Sequence, residues 1–115
     1  MSECIFCRIV RGEIPSKKVF EDEHVFAFHD INPVAPVHVL IVPKVHVDSM
    51  AQLTAEHEAA MGRLMVTAAR IAGEQGCTDG FRTIVNTGRV GLQEVYHLHL
   101  HVVGGPHPLP PMLKH

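Results

Sequence analysis

The stretch Tyr96-His97-Leu98-His99-Leu100-His101-Val102-Val103 sets three histidines in strict alternation with aliphatic residues. In extended chain, side chains at i, i+2 and i+4 share one face, about 6.5–7 Å apart. Three imidazoles therefore line one face of a strand, while Leu98, Leu100 and Val102 turn to the core. With 10 histidines in 115 residues, chance alternation is the plain alternative. Imidazole, however, titrates near neutrality, which makes it a poor filler for a solvent face and a good base, nucleophile or metal ligand. The motif reads as a reactive site.

Outward from that motif, hydrophobic periodicity divides the rest of the chain. Cys4 to Val10 predicts a short helix closed by Gly12. Lys18-Val19-Phe20 and Val25-Phe26-Ala27-Phe28 predict two strands joined by the acidic turn Glu21-Asp22-Glu23-His24. Val37 to Val42 predicts a third strand, stopped by Pro43. Then the period changes: Leu53, Ala60, Met61, Leu64, Met65, Ala68, Ile71 and Ala72 recur at helical spacing. Thr54 is the expected N-cap and Gly76 the expected end. Phe81 to Asn86 and Val95 to Val103 supply the last two strands. One long helix on a meandering antiparallel sheet is an α+β architecture. The tail from Gly104-Gly105-Pro106 through Pro108, Pro110 and Pro111 cannot continue a ladder, and is expected to lie across a surface, of this chain or a partner's.

Composition narrows the function classes. Residues 1–115 are expected to form a single domain with one core. A net charge of −2 argues against long nucleic acids and anionic membranes as partners. No apolar run approaches the roughly 20 residues of a spanning helix, and the N-terminus shows no secretory apolar region. Three cysteines do not make a secreted disulfide framework, so a cytoplasmic setting is expected.

His97-Leu98-His99-Leu100-His101-Val102-Val103 resembles the signature of the histidine triad superfamily, His-φ-His-φ-His-φ-φ with φ apolar. The likeness takes in Ile5-Phe6, Gly12-Glu13-Ile14-Pro15, Ala27-Phe28-His29-Asp30-Ile31, Pro36-Val37-His38 and Val42-Pro43-Lys44. It continues at Asn86, Gln93-Glu94-Val95-Tyr96 and Gly104-Gly105. The ending Pro111-Met112-Leu113 is similar to the bacterial Hint branch. The resemblance implies a five-stranded antiparallel sheet with one long helix and a short N-terminal helix. It also implies a homodimer in which two sheets join into ten strands. An edge needing cover and a long helix rich in Met and Ala are compatible with that pairing.

The same resemblance implies a purine nucleotide site and hydrolysis of the P–N bond of nucleoside 5′-phosphoramidates such as AMP-NH2 and AMP-lysine, and of the related aminoacyl adenylates. No cofactor is implied for the chemistry. His99 would attack the α-phosphorus and become a nucleotidyl-histidine, which water then releases as the monophosphate. A neutral imidazole nitrogen is nucleophilic at pH 7, and a covalent route divides one difficult displacement into two easier ones. His101 would touch a phosphate oxygen, help protonate the leaving amine, or orient its neighbours. His97 would join the hydrogen-bond network or ligate a metal, and His38 corresponds to a remote fourth histidine.

Asp30 matches the carboxylate that accepts from the ribose hydroxyls; by itself it reads as a turn residue before Asn32-Pro33. Phe6, Phe28 and Ile31 would sandwich the base or serve as plain core. Asn86 lies near phosphate or ribose, Gln93 is similar to a phosphate-contacting glutamine, and Glu94 either assists proton transfer or stays solvated. Pro106 departs from the arginine commonly found after the two glycines, which puts that arginine's contacts in doubt.

Cys4-Ile5-Phe6-Cys7 is a pair of thiols at a zinc-chelating spacing that needs two further ligands. The resemblance to some bacterial members supplies His46 and His97. Such an ion would be structural, tying the N-terminal turn to the sheet. Cys77 has no partner in the sequence and is expected to be inert. Two rival readings remain: a dinucleoside polyphosphate hydrolase of the Fhit type, and a nucleotide- or zinc-binding interaction protein without turnover. Against the first, Val102-Val103-Gly104-Gly105 stands where that branch tends to carry a proline-arginine pair.

Overall fold

A chain that alternates apolar residues on both faces of its central strands needs a layer on each side of the sheet, and this one supplies two. The computed structural model describes residues 4–113. Strands β1 (Lys18–Glu21), β2 (Val25–His29), β3 (Val37–Pro43), β4 (Arg82–Ile84) and β5 (Leu100–Gly104) form one antiparallel sheet in the order β1-β2-β3-β5-β4. The β1–β2 turn is set by Asp22, whose carboxylate accepts from the backbone N–H groups of His24 and Val25 at 2.8 and 2.9 Å. This is the local capture by which aspartate favours turns.

Helix α2 (Glu58–Glu74) covers one face: Leu64, Ala68, Ile71 and Ala72 bury against Val25, Ala27, Val39, Ile41, Leu100 and Val102. Burying a large aliphatic side chain is worth about 1.5–3 kcal/mol. That outweighs the ~1 kcal/mol cost of each glycine that α2 carries at Gly62 and Gly73. The other face holds Phe26, Phe28, Leu40 and Val42, covered by Phe6 and Ile9 of helix α1 (Ile5–Val10). Helix α2 ends as expected: Gly76 takes φ +92°, Cys77 N–H reaches Ala72 O at 2.9 Å and Gly76 N–H reaches Gly73 O at 3.1 Å. That is the paired closure of a Schellman cap. Gly104 is required by packing, because a Cβ there would lie 2.6 Å from Cys77 Sγ.

Four boundaries depart from the periodicity. Thr54 does act as a cap, with its side chain accepting from Glu56 N–H, but the turn it caps (Ala55–His57) is a 3-10 turn and α2 begins only at Glu58. A second 3-10 turn, Met50–Gln52, precedes it. Pro43 is the last residue of β3, paired with Val25. The last strand is much shorter than Val95 to Val103: Val95 to His97 bend, and Leu98 and His99 lie outside the ladder. Because Ile41 pairs with Leu100, the continued register would set Leu98 opposite Pro43, which has no N–H to give. Leu98 N–H instead reaches Val47 O at 2.8 Å. With β5 starting at Leu100 and Ile84 paired with His101, β4 cannot extend to Asn86 and stops at Ile84.

Candidate active site and thiol–imidazole cluster

The alternation survives the loss of the ladder. Leu98, Leu100 and Val102 enter the core beneath α2, while the three imidazoles of the motif lie on the α1 face. His101 sits opposite Leu40 in β3, and His38, the second residue of the same strand, comes within 2.9 Å of it (His38 Nε2 to His101 Nδ1). The rings of His99 and His101 have centroids 5.1 Å apart.

The hydrogen-bond partners assign the tautomers. A carbonyl oxygen only accepts, so the 2.8 Å contact from His99 Nδ1 to His97 O places a proton on Nδ1 and leaves Nε2 bare. His38 Nδ1 accepts from Val34 N–H at 3.1 Å, so its proton is on Nε2. That N–H donates to His101 Nδ1, which puts the His101 proton on Nε2. The site thus presents one bare imidazole nitrogen beside one imidazole N–H donor. Burial, and then the positive charge that protonated His99 and His38 would carry, push His101 down to about 4, so it is neutral at pH 7.

Asp30 takes the turn conformation and also reaches the histidines. Its Oδ1 accepts from Asn32 N–H at 2.7 Å, as a turn residue does, while Oδ2 stands 3.4 Å from His38 Nε2. A cavity of about 510 Å³ opens there, lined by Lys17, His29, Asp30, Ile31, Pro33, Pro36 and His38. Ile31 is 91% exposed, an apolar side chain offered to whatever enters. Phe6 meets Phe28 edge-on at 5.6 Å and His99 at 5.1 Å. Asn86 follows β4 and is half-buried, and Glu94 is exposed. Gln93 is buried, and its amide is spent on backbone: Nε2 donates to Asp48 O (2.7 Å) and Val95 O (2.9 Å), and Oε1 accepts from Gly88 N–H (2.9 Å). In this arrangement it ties the connection after β3 to two points of the β4–β5 connection and offers no free N–H to a phosphate.

His97 faces a second centre. Its Nε2–H donates to Pro43 O at 2.7 Å, leaving Nδ1 bare. That nitrogen lies 3.2 Å from Cys4 Sγ, 3.5 Å from Cys7 Sγ and 3.2 Å from His46 Nδ1. His46 in turn gives its Nε2–H to Asp48 at 2.7 Å, so its Nδ1 is bare as well. Cys7 N–H donates to Cys4 Sγ at 3.3 Å, and Cys7 Sγ is 3.4 Å from His46 Nδ1. Burial first, and then the neighbouring His46 and His99, hold His97 below the usual imidazole range, which keeps it a lone-pair donor.

Two bare nitrogens 3.2 Å apart and two thiol sulfurs beside them turn four soft donor atoms toward one point. Tetrahedral zinc, with bonds of about 2.0–2.3 Å, sets its ligand atoms about 3.3–3.8 Å apart, so the donor set fits. The outward N–H of each histidine is held by a carbonyl or carboxylate, the usual support of a ligating imidazole. Asp48 and the Pro43 carbonyl were not legible as parts of this centre. The only trace is the spacing His46-Val47-Asp48, which puts both polar side chains on one side. Cys77 is buried under Gly104, apart from this cluster.

Residues 11–107 match the family model described as HIT domain. An Escherichia coli (strain K12) protein named purine nucleoside phosphoramidase is 51% identical over 114 residues, covering 98% of this chain and 95% of its own. Protein HitA of Neisseria gonorrhoeae is 50% identical over 106 residues, covering 92% and 99%. Among solved structures, a histidine triad protein from Clostridium difficile superposes with a TM-score of 0.90 at 46% identity, covering 98% of this chain and 100% of that one. With sequence, fold and triad geometry in agreement, this chain belongs to the HIT domain family.

Proposed function

We propose that this protein is a hydrolase that cleaves the P–N bond of purine nucleoside 5′-phosphoramidates and releases the nucleoside monophosphate. The observation that carries the reading is the 2.8 Å bond from His99 Nδ1–H to His97 O, which leaves Nε2 as a fixed, bare nucleophile beside the His101 N–H. Nε2 attacks the α-phosphorus, the P–N bond breaks, and the leaving nitrogen departs as an amine with a proton delivered through His101. Water then breaks the P–Nε2 bond, giving its hydroxyl to phosphorus and its proton back to the site. His38 holds His101 in the tautomer that donates. Asp30 receives the ribose diol, Phe6, Phe28 and Ile31 wall the base, and Asn86 and Glu94 border the phosphate. The close identity to a relative named for this activity supports the assignment.

Cys4, Cys7, His46 and His97 hold a zinc ion that the hydrolytic chemistry itself does not use. The thiol pair suits a reducing, cytoplasmic setting. Among the described residues, no helix is long and apolar enough to cross a membrane. Two copies associate through the exposed face of α2, where Gly62, Met65, Val66, Ala69 and Gly73 follow one another at helical spacing, and through the edge strand β4. Phosphorus NMR of the protein with adenosine 5′-phosphoramidate, beside a diadenosine polyphosphate, tests the function. Rapid AMP release from the phosphoramidate is expected, abolished in His99→Ala while AMP still binds. Full activity in that variant would refute attack by His99. Preference for the dinucleotide would replace the reading with polyphosphate hydrolysis, and AMP binding without turnover would leave a binding protein.

A further inference from the structure

We infer that the Cys4–Cys7–His46–His97 cluster, with its ion, positions the attacking ring of His99, and so acts in the reaction as well as in stability. The inference rests on the phosphoramidase reading for its kinetic arm only. Its ground is the early end of β5: the ladder begins at Leu100, one residue after the nucleophile, so no strand pairing holds His97, Leu98 or His99. Their position has to come from other contacts, and three of these lead back to the cluster. The His97 carbonyl accepts the Nδ1–H of His99 at 2.8 Å, while the His97 ring is fully buried with Nδ1 among the thiols. Leu98 N–H is held at 2.8 Å by the carbonyl of Val47, the residue after the ligand His46. Phe6 lies between Cys4 and Cys7 in sequence and meets both His97 and His99 edge-on, with centroids 6.1 and 5.1 Å away.

These links are short and have little freedom. The peptide that carries the His97 carbonyl is the one whose N–H, from Leu98, is bound to Val47 O, so it cannot turn away from His99 without breaking that bond, and the His97 ring is itself pinned to Pro43 O at 2.7 Å. Drawing the four ligands onto one ion therefore fixes both the tautomer of His99 and the direction of Nε2. A displacement of about 1 Å at a reacting atom can cost about 100-fold in rate. Beyond the cluster, Gln93 extends the same frame, joining Asp48, the carboxylate partner of His46, to the segment that enters the triad.

The test uses the whole protein in three states, zinc-loaded, chelator-stripped, and stripped and reloaded, and in two variants, His46→Ala and His46→Cys. Turnover of adenosine 5′-phosphoramidate gives kcat and KM separately. Long-range proton–nitrogen NMR correlation of nitrogen-labelled histidine reads the His99 tautomer at one fixed pH, with no substrate present. Stripping and His46→Ala are expected to lower kcat about 10- to 100-fold while KM moves less than about threefold. The His99 signature should change from a single protonated Nδ1 to an averaged ring. Reloading restores both, as does His46→Cys, which returns a fourth ligand. A stripped protein that melts earlier yet keeps its kcat and its His99 signature overturns the inference and leaves a structural staple. If the loaded protein turns over no phosphoramidate, the functional reading falls, and the NMR arm alone decides: a changed His99 signature upholds the coupling, and an unchanged one refutes it.

Discussion

At the scale of single residues, protonation and backbone conformation make the sharpest statements. His101 is neutral in the fold because burial and its histidine neighbours push it down to about 4, whereas unfolded histidine titrates near 6.5. Between those values the unfolded chain binds more protons than the folded one, so stability rises with pH through that window and is lost as pH falls from about 6.5 to about 4. His101→Gln should flatten that part of the stability curve relative to wild type, as followed by denaturant melts across pH; equal slopes would count against a neutral His101. Leu92 is the one described non-glycine residue at positive φ, +62°, with its side chain 78% exposed. The left-handed region costs an L-residue about 1–2 kcal/mol. Part of that is offset because glycine loosens the unfolded chain by about 0.4–1 kcal/mol. Leu92→Gly should therefore raise Tm by about 3–6 °C at most in calorimetry, and a fall would show that Leu92 makes a contact worth more than the strain.

At the scale of elements, the N-terminal helix is the piece whose attachment is most local. Helix α1 has only six residues, too short to persist without tertiary support. Its own apolar contribution is mainly Phe6 and Ile9. The thiols at its start reach His46, on the connection after β3, and His97, just before β5. An ion there would join three separate chain segments, and removing it should lower Tm by about 4–8 °C for each kcal/mol lost. Thermal melts with and without chelator, beside elemental analysis, check this; an unchanged melt with no bound metal would dispose of the site. The element boundaries also show where periodicity misleads. Alternation gives the core side of Leu98, Leu100 and Val102, yet Tyr96, which shares their phase, is exposed, and only Leu100–Gly104 is paired. Side-chain alternation reports extended backbone and burial, while pairing also depends on the neighbour, here on Pro43 lacking an N–H.

For the molecule as a whole, the two faces of the sheet divide the labour. Helix α2 builds the main core on one side, and the other side is left for histidines, aromatic walls and the cluster. The outer face of α2 is uncovered, with Met65 and Val66 56% and 64% exposed. Sedimentation at micromolar concentration should give twice the chain mass of 12.7 kDa. Val66→Glu should halve it, because a carboxylate in that face cannot be buried unpaired. A wild-type chain that sediments as a monomer would remove the dimer from the account.

The sequence by itself determined the antiparallel α+β fold, the face taken by the three histidines and by Leu98, Leu100 and Val102, the family, and His99 as the group to suspect. Those properties follow from periodicity and from a contiguous motif, both of which are local. Tertiary structure alone decided which nitrogen of each histidine is bare. That depends on carbonyls and N–H groups from Pro43, Val34 and His97, brought together by the sheet register. It also decided that Gln93 spends its amide on three backbone groups, and that Asp48 supports His46. A hydrogen-bond partner many residues away leaves no trace in the spacing of the residue it serves.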